Sequence, residues 1–262
     1  MATLISKLFD EYAGGPILVI GGGPSVSDDL PRLVADGFEP ACVISANDHG
    51  PKQSFYPVNY LVNVDRWHCE KKVPMQEILR PYVLPIINRH SWADFRLPDW
   101  TFYGNSGLTA IAVAVALGGN PVVATGIDMW QHGRYYFHIP IKEQHQRRTE
   151  GRMMSKVGVR DRAQKAINPL MSFARGANLR PVSGPLTASF KQYEFGADNF
   201  EPAKACEYRK THRGEPVYIM RVTKPLKFGE RDKLNVGDLL PCSPSERVTS
   251  SIKTHCTLAR TE

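Results

Sequence analysis

Short apolar runs alternate with helical patterns through much of the chain, and most of these runs end in glycine or in polar residues. PILVIGGGPS (Pro16 to Ser25) ends in a glycine-rich turn, whereas PACVISAND (Pro40 to Asp48) and VNYLVNVD (Val58 to Asp65) end in Asn and Asp. Short apolar runs bounded by turn residues are typical of buried strands. Strands that alternate with helices predict an α/β domain with a largely parallel sheet and right-handed crossovers.

The remaining patterns extend this arrangement. YVLPII (Tyr82 to Ile87) predicts a fourth strand, a helix is expected from Gly107 to Leu117, and NPVVATGID predicts the next strand. A helix over about 160–175 and a strand at LRPVS follow. From about Arg213, short apolar stretches alternate with Lys, Gly and Pro, as in small β-modules. We therefore predict a Rossmann-like domain, a mostly parallel sheet flanked by helices, at 1–200 and a small β-rich module at 213–262.

Composition limits the partners and the compartment. The 262 residues carry a net charge of +7, which favours anionic partners, although a solvated basic surface explains the charge equally well. The five cysteines are widely spaced without a Cys-x-x-Cys pair, so neither a disulfide framework nor a zinc ribbon is expected. A metal cluster is not expected either, because ligand-like spacing is missing among His68, His90, His145, His212 and His255. The amino terminus reads as a short amphipathic helix and not as a signal peptide. We expect a cytoplasmic protein with no membrane partner.

The glycine-rich turn is the first candidate site. Gly22, Gly23 and Ser25 follow a strand and precede a helix, a position in which backbone N–H groups and the helix dipole can bind a phosphate. Val26 stands where the dinucleotide fingerprint has its third glycine, and the Gly-Lys-Ser/Thr of a P-loop is missing. A tight turn that needs small residues is the alternative explanation.

Polar residues at the ends of the second and third strands are the next candidates. Asn47, Asp48, Asn63 and Asp65 can donate or accept hydrogen bonds, as recognition of a base or a sugar requires. Each of them also suits a turn or a helix cap. The same choice applies to Asn105, Ser106 and Gly107, because a helix start can hold an anion or carry a plain N-cap.

The stretch GIDMWQHGRYYF (Gly126 to Phe137) follows the strand NPVVATGID. A tyrosine hydroxyl such as that of Tyr136 can stabilise a leaving phosphate, and Asp128 or His138 can act as a general base. The alternative is that the aromatic rings only cover the edge of the sheet.

Together these motifs resemble a known family. ILVIGGGPSVSDDL, CVISAND and, above all, NSGLTAIAVAVALGGNPVVATGIDMWQHGRYYF resemble the bacterial sialyltransferases of glycosyltransferase family 42. The broader group of relatives includes the archaeal 6-hydroxymethylpterin diphosphokinase type. The resemblance covers roughly residues 16–190 and is strongest from Asn105 to Phe137.

The resemblance implies a role for each matching residue. The nucleotide phosphates would be held by the glycine loop, the donor nucleotide by the two strand-end asparagines and the helix start, and the departing phosphate by a tyrosine. The matching residues are Gly22, Gly23, Ser25, Asn47, Asn63, Ser106, Gly107 and Tyr136. Trp130 replaces the family's second tyrosine, Tyr103 lies where the family has an arginine, and Val159 lies where it has the catalytic histidine. His138, His145 or Asp128 would then have to supply the base.

The carboxyl-terminal segment VYIMRVTKPLKFGERDKLNVGDLLPCSPSERV is similar to small β-rich tails of tailed-bacteriophage proteins.

From the resemblance to the sialyltransferases we expect a nucleotide-dependent transferase, foremost a glycosyltransferase with a nucleotide-sugar donor. The alternatives are a non-catalytic protein of phage morphogenesis, with phage structural proteins as partners, and a diphosphokinase of the hydroxymethylpterin type. Magnesium is expected only if the donor is a nucleoside triphosphate. A homo-oligomer is expected, and nucleic acid is not, because no nucleic-acid-binding module is recognised.

Overall fold

The structure is a computed structural model that describes residues 3–66, 73–90, 92–97, 105–129, 137, 156–201, 218–222, 226–228, 232–234, 239–242 and 256–261. Its main feature is an eight-stranded sheet in which every pair of neighbouring strands is parallel. The strands are β1 Thr3–Leu4, β2 Ile17–Ile20, β3 Cys42–Ala46, β4 Tyr60–Val62, β5 Ile86–Asn88, β6 Phe95–Arg96, β7 Val122–Thr125 and β8 Leu179–Pro181.

The strand order, β1-β6-β5-β4-β3-β2-β7-β8, places β2 near the middle of the sheet. From β2 the chain builds the sheet outward through β3, β4, β5 and β6, and then crosses back to β7 and β8 on the other side of β2. The order therefore reverses between β2 and β7. In open α/β sheets, ligands bind beyond the carboxyl ends of the strands at such a reversal.

Helices lie on both faces of the sheet, as the α/β prediction requires. They are α1 Val26–Ala35, α2 His49–Gln53, α3 Met75–Leu79, α4 Ser106–Ala116 and α5 Lys156–Phe173, with 3-10 turns at Ile5–Leu8, Arg80–Tyr82 and Pro185–Ala188. Alternate residues of β2 serve the two faces. Ile17 and Val19 pack in the core that includes α4 and α5, whereas Leu18 and Ile20 pack in the core that includes α1. A strand buried on both faces must be apolar throughout, which explains its continuous apolar run.

Helix α4 is the central helix of the fold, because every one of its residues is buried. It packs against β2, β3, β4, β7 and α5. The Asn105 side chain accepts a hydrogen bond from the N–H of Leu108 at 3.0 Å and so caps the helix. After the helix, Gly118 adopts a left-handed backbone, with φ of +94°. The predicted helix is thus confirmed to within a residue at each end.

Two local predictions need correction. Residues 3–15 form no amphipathic α-helix: Thr3 and Leu4 pair with Phe95 and Arg96 of β6, and a 3-10 turn follows at Ile5–Leu8. Pairing at the sheet edge outweighs local helical spacing there. The strand predicted at Tyr82 to Ile87 is β5, and it begins later than predicted, at Ile86, because a 3-10 turn occupies Arg80–Tyr82.

The described carboxyl-terminal segments are strands, as the β-rich prediction requires. They are β9 Tyr218–Val222, β10 Leu226–Phe228, β11 Asp232–Leu234, β12 Leu239–Cys242 and β13 Cys256–Thr261. Strands β12, β9 and β13 form one antiparallel sheet, and β10 pairs with β11 in another. The division into a domain at 1–200 and a module at 213–262 stays a prediction. Among the described helices, none combines the length and the apolar character needed to cross a membrane.

Candidate functional site

The predicted site residues that the structure describes gather at one edge of the sheet. The glycine-rich turn follows β2, Asn47 follows β3, Asn63 follows β4 and Asp128 follows β7. Because these strands are parallel, their carboxyl ends meet at the same edge. The residues form three groups there: a turn closed by Asp128, a row of asparagines, and the start of α4.

Glycine is required in the turn after β2 because neighbouring segments pass very close. The N–H groups of Gly21 and Gly23 donate to the carbonyl oxygens of Thr125 and Gly126, both at 2.8 Å. A Cβ atom on Gly23 would lie 2.5 Å from the Asp128 carboxylate, and one on Gly22 would collide with the His49 ring. Tight packing of the turn against the β7 loop and against α2 therefore accounts for these glycines by itself.

The start of α1 already holds a carboxylate of the same chain. Asp128 accepts hydrogen bonds from the N–H of Ser25 at 2.8 Å and from its hydroxyl at 2.5 Å. Only 2% of Asp128 is exposed. The next two N–H groups, of Val26 and Ser27, donate to the carbonyl oxygens of Gly23 and Pro24. A ligand phosphate at this helix start would have to replace Asp128, and an Asp128 base would have to leave Ser25.

A second carboxylate, Asp29, lies beside this group and was not singled out from the sequence. It is 2% exposed and accepts hydrogen bonds from the hydroxyls of Thr125 at 2.8 Å and Ser183 at 2.6 Å. Burial raises its pKa, the two hydroxyls lower it, and the negative charge of Asp128 adds to the increase. The sequence signal was an acid among the apolar residues of the buried helix face, Val26, Leu30 and Leu33.

Asp29 gives a prediction for the pH dependence of stability. Its folded-state pKa lies above its ordinary value of 3.8, so the folded protein retains the proton longer than the unfolded chain as the pH rises. The free energy of unfolding should therefore fall as the pH rises from the ordinary pKa of 3.8 through the higher pKa of the folded state, and it should stay lowered above that pH. Asp29→Asn removes this contribution, and its stability should decline less between pH 4 and pH 7 in urea titrations at about six pH values. Asp28→Asn, in the same turn but exposed, should behave as wild type.

Three asparagines form a hydrogen-bonded row, the asparagine ladder, across the ends of β3, β4 and β5. Ala46, Val62 and Ile87 are in register, so Asn47, Asn63 and Asn88 come next on adjacent strands. Asn88 Nδ2 donates to Asn63 Oδ1, and Asn63 Nδ2 donates to Asn47 Oδ1, both at 2.6 Å. Asn63 and Asn88 are fully buried, whereas Asn47 is half-buried with a left-handed φ of 56°. Asn47 and Asn63 were predicted from the sequence, whereas Asn88 was not.

The start of α4 forms the third group. The Ser106 hydroxyl accepts from the N–H of Val64 and donates to the Asp65 carboxylate, both at 3.2 Å. Desolvation by the surrounding protein raises the pKa of the Asp65 carboxyl, and the hydrogen bond from Ser106 opposes this increase. Because Asp65 is exposed, the change in its pKa has only a small effect on the stability of the fold. Gly107 is needed because a Cβ there would lie 2.6 Å from the Ile127 side chain.

Of the other predicted residues, Asp48 is among those that the structure describes, whereas Tyr136 and His138 are not. Asp48 is held by Lys52 at 2.9 Å; burial opposes ionisation of Asp48, but Lys52 and His49 lower its pKa below the ordinary value. Tyr136 and His138 lie outside the described residues, as do Trp130, Tyr103 and His145. Phe137 between them is described, and its N–H donates to the carbonyl oxygen of Gly22 at 2.9 Å.

No grouping of three or more His, Cys, Asp or Glu side chains suited to a metal ion occurs within the described ranges. Comparison of the chain with protein-family models, with curated proteins and with solved structures found no match.

Proposed function

We propose that this protein binds a nucleotide or a nucleotide sugar at the carboxyl edge of its sheet and transfers a group from it, foremost as a glycosyltransferase. The observation that carries the proposal is the asparagine ladder. Asn47 is the half-buried end of a hydrogen-bonded row whose other members are buried, so its amide is held in one position at the edge where such sheets bind ligands.

The described residues suggest a division of labour. Asn47, supported by Asn63, would hydrogen-bond the nucleotide or the sugar through its side-chain amide, whose Oδ1 already accepts from Asn63. The start of α4 at Ser106 and Gly107 would face the phosphates, since a helix amino terminus favours anions. Gly22, Gly23 and Ser25 would contribute only after Asp128 moves away. We assign Tyr136 to the departing phosphate and His138 or Asp128 to the base, in keeping with the family resemblance.

The test is a thermal-shift screen of the purified protein against CMP, CMP-sialic acid, UDP-sugars, ATP and GTP, each with and without magnesium. A ligand at about 100 times its Kd stabilises the folded state by about 2.7 kcal/mol, which raises the melting temperature measurably. Dependence of the shift on magnesium would favour a nucleoside triphosphate donor and thus the diphosphokinase alternative.

Two matched variants make the screen specific for the site. Asn47→Ala should weaken binding of the active nucleotide roughly tenfold, because one hydrogen bond to the ligand is lost. Asn168→Ala removes an exposed amide on α5 and should bind as wild type. Absence of a shift with every nucleotide would refute the proposal, as would equal binding by the two variants.

One observation favours a second candidate, a non-catalytic protein of phage assembly that keeps the fold. The donors of Ser25 at the start of α1 are occupied by Asp128, and Val26 and Ser27 donate within the turn, so these donors have partners without a ligand. That candidate expects no shift with any nucleotide, together with co-purification of the protein in virions.

A further inference from the structure

We infer that the backbone N–H of His90 sets the direction of every hydrogen bond in the asparagine ladder, so that Asn47 presents its NH2 group, and not its carbonyl oxygen, to the ligand. The site therefore selects a ligand group that accepts a hydrogen bond, such as a phosphate, carboxylate or carbonyl oxygen. The identity of this group as part of a nucleotide rests on the proposed function. The direction of the ladder does not.

The orientation of the Asn88 amide is set by a backbone donor. A side-chain amide has one end that donates and one that accepts, and the two ends have nearly the same shape. A backbone N–H can only donate. The N–H of His90 lies 3.1 Å from one end of the Asn88 amide, so that end must be Oδ1 and the other end must be the NH2 group.

The orientation of Asn88 in turn determines the orientations of Asn63 and Asn47. The NH2 group of Asn88 meets Asn63 at 2.6 Å, which requires Oδ1 of Asn63 at that contact. The NH2 group of Asn63 then meets Asn47 at 2.6 Å and requires Oδ1 of Asn47. Reversal of one member alone would place two donors or two acceptors against each other, and the amides of Asn63 and Asn88 are closed to water. The ladder therefore keeps its direction as a unit.

Asn47 forms the open end of the ladder. Within the described part of the chain, Nδ2 of Asn47 has no acceptor, and Asn47 is the half-buried member of the ladder. Its backbone is fixed as well, since its N–H donates to the carbonyl oxygen of Val62 at 2.8 Å. Asn88 is thus a positioning residue: it acts on the ligand only through Asn63 and Asn47.

Side-chain amide exchange, measured by NMR on protein labelled with 15N-asparagine, tests the direction without any ligand. In the wild type, the NH2 group of Asn47 should exchange at least about tenfold faster than those of Asn63 and Asn88. Slow exchange of the Asn47 NH2 group would overturn the inference, because it would show that this group donates into the ladder.

Asn88→Asp should reverse the ladder. An ionised carboxylate cannot donate, so it accepts from both His90 and Asn63; Asn63 then turns over, accepts from Asn47 and leaves Oδ1 of Asn47 facing outward. The NH2 group of Asn47 should exchange about tenfold more slowly than in wild type, at a pH at which the 13C shift of the new carboxyl group shows it to be ionised. Asn63→Asp should reverse Asn47 in the same way and serves if Asn88→Asp does not fold. Unchanged exchange at Asn47 in the folded variant would refute the inference.

Binding separates this inference from the proposed function. With the nucleotide that shifts the wild type, Asn88→Asp should weaken binding at least about tenfold, although Asn88 lies two residues along the ladder from the open end. Asn47→Asp should weaken binding too but leave exchange at Asn63 and Asn88 unchanged, because its carboxylate still accepts from Asn63. If no nucleotide binds, the proposed function fails while the exchange results still decide the direction of the ladder.

Discussion

Gly21→Ala should lower the free energy of unfolding by about 3 kcal/mol, at the upper end of what overpacking in a core costs. A Cβ on Gly21 would collide with the backbone carbonyl oxygen of Gly126 and lie 2.5 Å from Cδ1 of Ile127. The loops cannot separate easily, because β2 and β7 pair in register and the N–H of Gly21 donates to Thr125 at 2.8 Å. Chemical denaturation in urea, followed by far-UV circular dichroism, measures the loss.

Two other glycines calibrate this result. Gly14→Ala introduces a Cβ into open space at a φ of +81°, so it should cost only the left-handed backbone penalty of about 1 kcal/mol. Gly22→Ala meets the His49 side chain instead of a backbone, and a side chain can move, so its cost should lie between the other two. Equal losses for Gly21→Ala and Gly14→Ala would show that the close approach to Gly126 is unimportant.

The strands of the sheet interior and the central helix were predictable because their signals are local. Strands β2, β3 and β7 are buried on both faces and are largely apolar in sequence. Helix α4 has a capping Asn105 before it and Gly118 after it. The two-residue strand β1 was not predictable, because it exists only through pairing with β6, about ninety residues later in the chain.

The site was predictable in its residues but not in its connections. Asn47 and Asn63 stand directly after apolar runs, and parallel strands bring such ends together. Asn88 has the same relation to Ile86 and Ile87 and directly follows the strand predicted at Tyr82 to Ile87, so the same local signal could have identified it. The contact between Ser25 and Asp128 joins residues 103 positions apart, and it depends on β2 lying beside β7, which local patterns do not specify.

Asp128→Ala should produce the second large effect, a loss of about 2–3 kcal/mol in the free energy of unfolding. The variant removes a buried carboxylate that accepts two hydrogen bonds at the start of α1, and it leaves the N–H and the hydroxyl of Ser25 without that partner. Relief of charge repulsion with Asp29 offsets only part of this loss, because Asp128 is a minor contributor to the raised pKa of Asp29. Urea denaturation of wild type and variant measures the difference.

Asp28→Ala is the matched control, since Asp28 is an exposed acid in the first turn of the same helix and should cost no more than about 1 kcal/mol. A double-mutant cycle of Ser25→Ala with Asp128→Ala isolates the direct contact, for which a coupling of about 1–2 kcal/mol is expected. Nucleotide binding by Asp128→Ala then separates two roles for the glycine loop. Tighter binding than wild type would mean that Asp128 competes with a ligand phosphate at Ser25. Unchanged binding would mean that the loop serves to close β2 against β7, and that the ligand is held by Asn47 and the start of α4.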